Sequence, residues 1–207
     1  GTAAWLKERI AGSLPKIGRL NLAYFADKRG RTLSEMSVIR HSEEKFTLIT
    51  AASAQWHDWD IVNKASSKNI SVIDNTNSIS TLIVTGPKSR DLLEKIGINA
   101  DLYLPWLSHQ KAKVCGQPCH LMRVSFAGEL GWEIHTKVEN ISKLYKEITE
   151  AGAKPFGMWA LNSLRIEKGY RAWKGDLSTD YSLQEAGLSR FIQFDKEENF
   201  LGKAALE

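Results

Sequence analysis

Apolar and polar residues alternate through RTLSEMSVIR (31–40), with Leu33, Glu35, Ser37 and Ile39 on one face of the predicted strand and Met36 and Val38 on the other. The polar run HSEEK closes that strand into a hairpin with FTLIT (46–50). Upstream, GTAAWLKERI has the spacing of an amphipathic helix, and LPKIGRLNLAYF leads into the turn-rich ADKRG. Ser53 stands at the N-cap position of a helix carrying Trp56, Trp59 and Val62. NISVID (69–74) and STLIVT (80–85) are predicted strands, and GPKSRDLLEKIG a short helix with Pro87 in its first turn and Gly97 just past its end.

The pattern then loses its period from Asp101 to Pro118, where a domain crossing is expected. CHLMRVSF and GWEIHT resume as strands, and Ile141, Leu144, Tyr145 and Ile148 share one face of a helix stopped near Gly152. GMWALNSLRIEKGY predicts a second helix, DLSTDYSLQEAGL is polar and turn-like, and SRFIQFD and FLGKAALE finish the chain. Hairpins mixed with isolated helices, without regular strand–helix alternation, predict an α+β fold. Residues 1–100 and 101–207 are expected to form two α+β subdomains.

Composition changes this picture little. Hydrophobic residues make up 43% of the 207 and charged residues 25%, which is the balance of a globular chain able to bury a core. No apolar run approaches a membrane span. The formal charge of +4 is spread along the chain, which favours small anions over nucleic acid as ligands. Cys115 and Cys119 flank Gly-Gln-Pro and are expected to be reduced thiols; they and the five histidines lack zinc-ligand spacing, so no metal is expected. The opening lacks an initiator Met and begins inside an amphipathic pattern, as a piece of a longer polypeptide would.

Three polar placements stand out. Glu133 lies in a predicted strand between Trp132 and Ile134, sharing a face with Gly131, which is expected to leave open space beside the carboxylate. The choice is between a solvated hairpin face and a carboxylate that accepts two parallel N–H bonds from a guanidine-like ring edge, as in a pterin, purine or aminopyrimidine. Glu35, mid-strand, is either solvated or a half-buried acid that moves protons. Arg165, one helical turn from Leu161 and followed by Glu167, is either an ion-pair partner or a carboxylate clamp, and Trp173 either packs in a core or stacks on a flat ring.

RVSFAGELGWEIH, GMWALNSLRIEKGYRAW, SLQEAGL and FLGKAALE together, in this order and spacing, resemble the folate-binding domain of the glycine-cleavage T-protein (aminomethyltransferase) family. The resemblance is nearest to the C-terminal part of dimethylglycine and sarcosine dehydrogenases, whose early hairpin LPKIGRLNLAYFADKRGRTLSEMSV also fits. It covers essentially the whole chain. It implies a partial three-subdomain fold of mixed and antiparallel sheets flanked by helices, around a channel for tetrahydrofolate. The family's first strand, its C-terminal β-barrel and the dehydrogenases' upstream flavin domain, with its FAD, are expected to lie outside this sequence.

The implied function is acceptance of a methylene group from an N-methylated amine, giving 5,10-methylenetetrahydrofolate. A T-protein proper and a non-catalytic folate module are the alternatives. The resemblance implies small-molecule partners, no nucleic acid and no membrane, in the bacterial cytoplasm or the mitochondrial matrix. Residue by residue, Glu133 matches the acid that grips the pterin edge, and Glu35 the catalytic acid near the folate nitrogens, usually Asp. Arg165 matches the arginine that meets the folate tail or orders the channel wall, and Trp173 an aromatic beside the ligand. Phe126 stands where the family commonly has Tyr, keeping the stacking ring and losing a hydroxyl.

Overall fold

The alternation of 31–40 is a strand: β2 (Thr32–Arg40) lies between β1 (Leu20–Ala26) and β3 (Phe46–Thr50) in an antiparallel sheet. The computed structural model describes residues 1–65 and 69–207, and these gather into two units, 1–73 with 171–207, and 74–170. In the first unit each face of the sheet has its own cover. Met36 and Val38 point with Ala23 and Phe25 toward Leu6 of α1 (Thr2–Lys7), Ile10, and Val62 of α2 (Gln55–Ala65). Tyr24 and Ala26 belong to the other face, where Leu177, Leu183, Leu188, Phe200 and Leu206 of the C-terminal segment complete a second cluster.

Hydrogen bonds fasten that segment to the start of the chain. The Lys196 ammonium donates to the carbonyls of Lys7 and Ile10, at 2.6 Å each, and Gln193 N donates to Ala11 O at 3.0 Å. This return of 171–207 to the first sheet is why the division of the chain is not sequential. The crossing expected within 101–118 falls inside the second unit, and that stretch holds regular structure. Its β5 (His109–Val114) reads weakly because Ala112 and Val114 alone turn inward among His109, Lys111 and Lys113.

The second sheet runs β4–β7–β6–β5, all antiparallel, from β4 (Ile79–Thr85), β5, β6 (Gln117–Met122) and β7 (Gly131–Lys137). One face carries Val84, Val114, Leu121, Trp132 and Ile134 against Leu93 of α3 (Ser89–Lys95) and Leu144 and Ile148 of α4 (Ile141–Glu150). α5 (Met158–Glu167) follows. Trp132 is fully buried at the centre of this core. Trp132→Ala is expected to cost about 3–5 kcal/mol in denaturant unfolding, the range for deleting a large core aromatic.

Three local expectations change. NISVID is irregular: it finds no neighbouring strand among the described residues, and Val72 packs against the first unit's core. Ser53 does not cap α2, because a 3₁₀ turn over Ala52–Ala54 precedes the helix and takes its place. Val114 pairs with Gln117, leaving Cys115 and Gly116 as a two-residue hairpin turn with φ of +50° and +74°, both in the left-handed region a type I′ turn requires. Cys119 therefore faces Ala112 rather than Cys115, both thiols are free, and burial pushes the Cys119 thiol up to about 11.

Candidate functional site

Glu133 occupies the middle of β7, an inner strand of its sheet, on the face opposite the core. Its cross-strand neighbours are Ile83 on β4 and Met122 on β6, so apolar side chains flank the carboxylate on both sides. The side chain keeps 22% of its exposure, which is neither a solvated hairpin face nor a sealed core. Oε2 lies 2.9 Å from Nε2 of His135, two residues along the same face, and His135 Nδ1 lies 2.9 Å from Thr81 Oγ1.

The open space expected beside Gly131 is not there. A Cβ on Gly131 would stand 3.0 Å from Ser125 Cβ and 3.0 Å from Thr85 Oγ1, two residues whose hydroxyls are 3.0 Å apart. Gly131 thus serves close packing of the loop before β7, and the niche of the carboxylate is made by Ile83, Met122 and His135 instead. Gly128, at φ +77°, does the equivalent for the Lys168 stem, which a Cβ would overlap.

Phe126 and Arg165 meet at a residue that the sequence pattern did not single out. Phe126 stacks on Tyr170, with ring centroids 6.3 Å apart and planes within 16°. Arg165, buried at 7% exposure, donates from Nε and Nη2 to Asn162 Oδ1 (3.0 and 2.7 Å) and from Nη1 to the Tyr170 carbonyl (2.9 Å). Its guanidinium holds the chain that leaves α5.

In the first unit Glu35 is half-buried and lies directly across from Tyr24 in the β1–β2 ladder. The Tyr24 hydroxyl donates to the Glu35 carboxylate. Desolvation raises the Glu35 pKa above its ordinary value, opposed by that hydrogen bond and by the charge of Arg171. Burial, reinforced by the neighbouring carboxylate, raises the Tyr24 phenol well above its own range. A desolvated carboxyl with a raised pKa and a phenol that stays protonated make a pair suited to holding a proton at the Glu35 oxygens.

Trp173 packs on the hydrophobic cluster to which Tyr24 belongs. Its indole N–H is buried and has no partner among the described residues. The His57 ring lies 5.8 Å from the Trp173 ring, and His57 Nε2 is 2.8 Å from the Leu33 carbonyl. Beside it Asp58, 2% exposed, accepts from Ser34 Oγ at 2.7 Å and from Thr50 Oγ1, pinning α2 to β2 and β3; burial raises its pKa. Gly187, in the left-handed region at φ +68°, leaves the place that a Cβ would take 2.4 Å from Arg171 Nη2, which gives SLQEAGL a physical reason for its glycine.

The neighbours of the candidate residues that sequence reasoning missed are Tyr24 and Arg171 beside Glu35 in the first unit, and His135 beside Glu133 and Tyr170 beside Phe126 and Arg165 in the second. The model of the GCVT N-terminal domain matches residues 1–196. The chain belongs to the GCVT N-terminal domain family. It is 34% identical over 211 residues to the mitochondrial dimethylglycine dehydrogenase of Rattus norvegicus, covering 98% of this chain and 25% of that protein. It is 28% identical over 210 residues to the aminomethyltransferase of Caldanaerobacter subterraneus, covering 98% and 56%. The chain therefore spans about a quarter of the dehydrogenase and somewhat over half of the transferase. Among solved structures, the glycine cleavage system aminomethyltransferase T of Bartonella henselae superposes with a TM-score of 0.85 at 20% identity, over 98% of this chain and 56% of that one. The fold of this family member is thus the T-protein fold, α+β with antiparallel sheets. No helix among the described residues is long and apolar enough to cross a membrane.

Proposed function

We propose that this domain binds tetrahydrofolate and serves a dimethylglycine- or sarcosine-type dehydrogenase as the acceptor of a methylene group, with 5,10-methylenetetrahydrofolate as product. The observation that carries the reading is the Glu133 carboxylate: half-buried between apolar neighbours, bonded through Oε2 to His135, with Oε1 accepting nothing among the described residues. A pterin edge presents two parallel N–H donors, which is what a carboxylate so held can take. The buried, unpartnered indole N–H of Trp173 and the stacked Phe126–Tyr170 pair also suit a flat ligand rich in acceptors.

The bound cofactor supplies nucleophilic nitrogens that take up the one-carbon unit. The chain's own residues then have distinct tasks. Glu133 fixes the orientation of the ring edge. Glu35 holds or releases a proton at its carboxyl oxygens, with the Tyr24 hydroxyl setting the carboxyl's direction and Arg171 favouring its charged form. Glu35 stands where T-proteins usually carry Asp and reaches one methylene further, roughly 1.5 Å, so its oxygens serve a position further from the strand. Arg165 keeps the α5 exit in place through Asn162 and Tyr170.

The full-length protein carries, in this reading, an FAD-binding domain before this region that oxidises the methylated amine, and a β-barrel after it. Greater identity to the dimethylglycine dehydrogenase than to the aminomethyltransferase supports that branch. Calorimetric titration of the full-length protein with tetrahydrofolate is the direct test. Saturable one-to-one binding, with formation of methylenetetrahydrofolate when the amine is added, is expected; no heat of binding would remove the reading.

A further inference from the structure

We propose that His135 is a positioning residue for the Glu133 carboxylate, its ring oriented by the Thr81 hydroxyl so that Nε2–H donates to Glu133. This rests on the reading of Glu133 as the group that grips the pterin edge. The arrangement is set by the sheet. Trp132 and Ile134 are fully buried on the opposite face of β7, so the strand cannot rotate, and Glu133 and His135 must both project from its other side. The ladder places Thr81 directly across from His135, and Ile83 directly across from Glu133.

With the imidazole neutral, the chemistry of the three groups leaves one hydrogen-bond assignment. An ionised carboxylate only accepts, so the 2.9 Å contact between Glu133 Oε2 and His135 Nε2 requires the proton on Nε2. A neutral imidazole then has a lone pair on Nδ1, and the Thr81 hydroxyl 2.9 Å away must donate to it. Ile83 and Met122, the cross-strand neighbours of the carboxylate, have no N–H or O–H to offer it. His135 is the hydrogen-bond donor to Glu133 among the described residues, and it engages Oε2 alone. A neutral donor there orients the acid while preserving its negative charge, so Oε1 and the remaining lone pair of Oε2 stay available to a ligand edge with two N–H groups. The sequence signal was His135 two positions from Glu133 on one strand face.

The test is a set of calorimetric titrations of the full-length protein with tetrahydrofolate. His135→Ala is expected to weaken binding about tenfold, the scale of one charge-assisted hydrogen bond. His135→Gln, whose side-chain amide can donate to the same oxygen, is expected to recover most of that loss. Thr81→Val, which removes the hydrogen bond that orients the ring from Nδ1, should fall between. In a Glu133→Ala background, His135→Ala should have no further effect, and this non-additivity separates positioning from a general structural role. If Glu133→Ala weakens binding while His135→Ala and His135→Gln both bind like the parent, or if the two losses simply add, the positioning role is wrong and the clamp stands. If Glu133→Ala binds like the parent, the clamp fails and the positioning role falls with it. Should His135→Ala not fold, the Gln and Val variants carry the same comparison.

Discussion

Glu133→Ala is expected to weaken tetrahydrofolate binding to the full-length protein by at least about 100-fold. Two charge-assisted hydrogen bonds are lost, at roughly 1.5–3 kcal/mol each, against about 1.4 kcal/mol per tenfold in affinity. The fold should be spared, because the side chain lies on the face of β7 away from the core and is partly exposed. Melting of the ligand-free variant should therefore stay close to the parent's. Glu133→Gln separates charge from shape. Its amide presents one acceptor and one donor, so one of the ligand's N–H groups meets another N–H, and binding should be nearly as weak as in the Ala variant. An affinity within about threefold of the parent for Glu133→Ala would leave the pterin clamp without support.

The parts of this architecture visible in the sequence are those decided by neighbours along the chain. Alternation put Glu35 opposite the Met36 and Val38 face of β2 and Glu133 opposite the Trp132 and Ile134 face of β7, and the sheets keep both assignments. The helical spacing of Leu144 and Ile148 is likewise the buried stripe of α4. What stayed hidden depends on partners distant in sequence. Tyr24 became Glu35's hydrogen-bond partner only through the β1–β2 register, which shifts by a bulge between Phe25 and Ala26. Tyr170 gained its role from Phe126, far upstream, and from Arg165 across the end of α5. Gly131 misled for the same reason: a glycine in a strand shows that a Cβ is absent, whereas Ser125 and Thr85 decide whether the space is empty or filled. The division of the chain was unreadable because 171–207 is polar and turn-rich locally, and its few leucines find their partners on β1.

Glu35→Gln is expected to separate catalysis, binding and stability in one variant. Methylene transfer by the full-length enzyme should fall by about 10²–10⁴-fold, the range for removing a positioned acid–base group, with tetrahydrofolate affinity held within a few-fold. The stability effect has the opposite sign. Burial raises the Glu35 pKa above its ordinary value of 4.5, so the folded state favours the protonated carboxyl. That preference stabilises the fold fully below the ordinary value and is lost as pH rises through the raised one. At neutral pH the parent thus bears the cost of a desolvated carboxylate that Gln does not bear, and Tyr24 can still donate to the Gln carbonyl oxygen. The variant should melt above the parent near pH ~7.5 and converge with it as the pH falls to ~4, where both side chains are neutral. A parent-like melting profile across that range would mean that Glu35 is solvated in the folded protein. Undiminished turnover would assign the proton transfer to another group. The two readouts are independent, so a carboxyl that is buried yet idle, which is what a non-catalytic folate module would contain, is recognised by the shifted melting curve together with normal turnover.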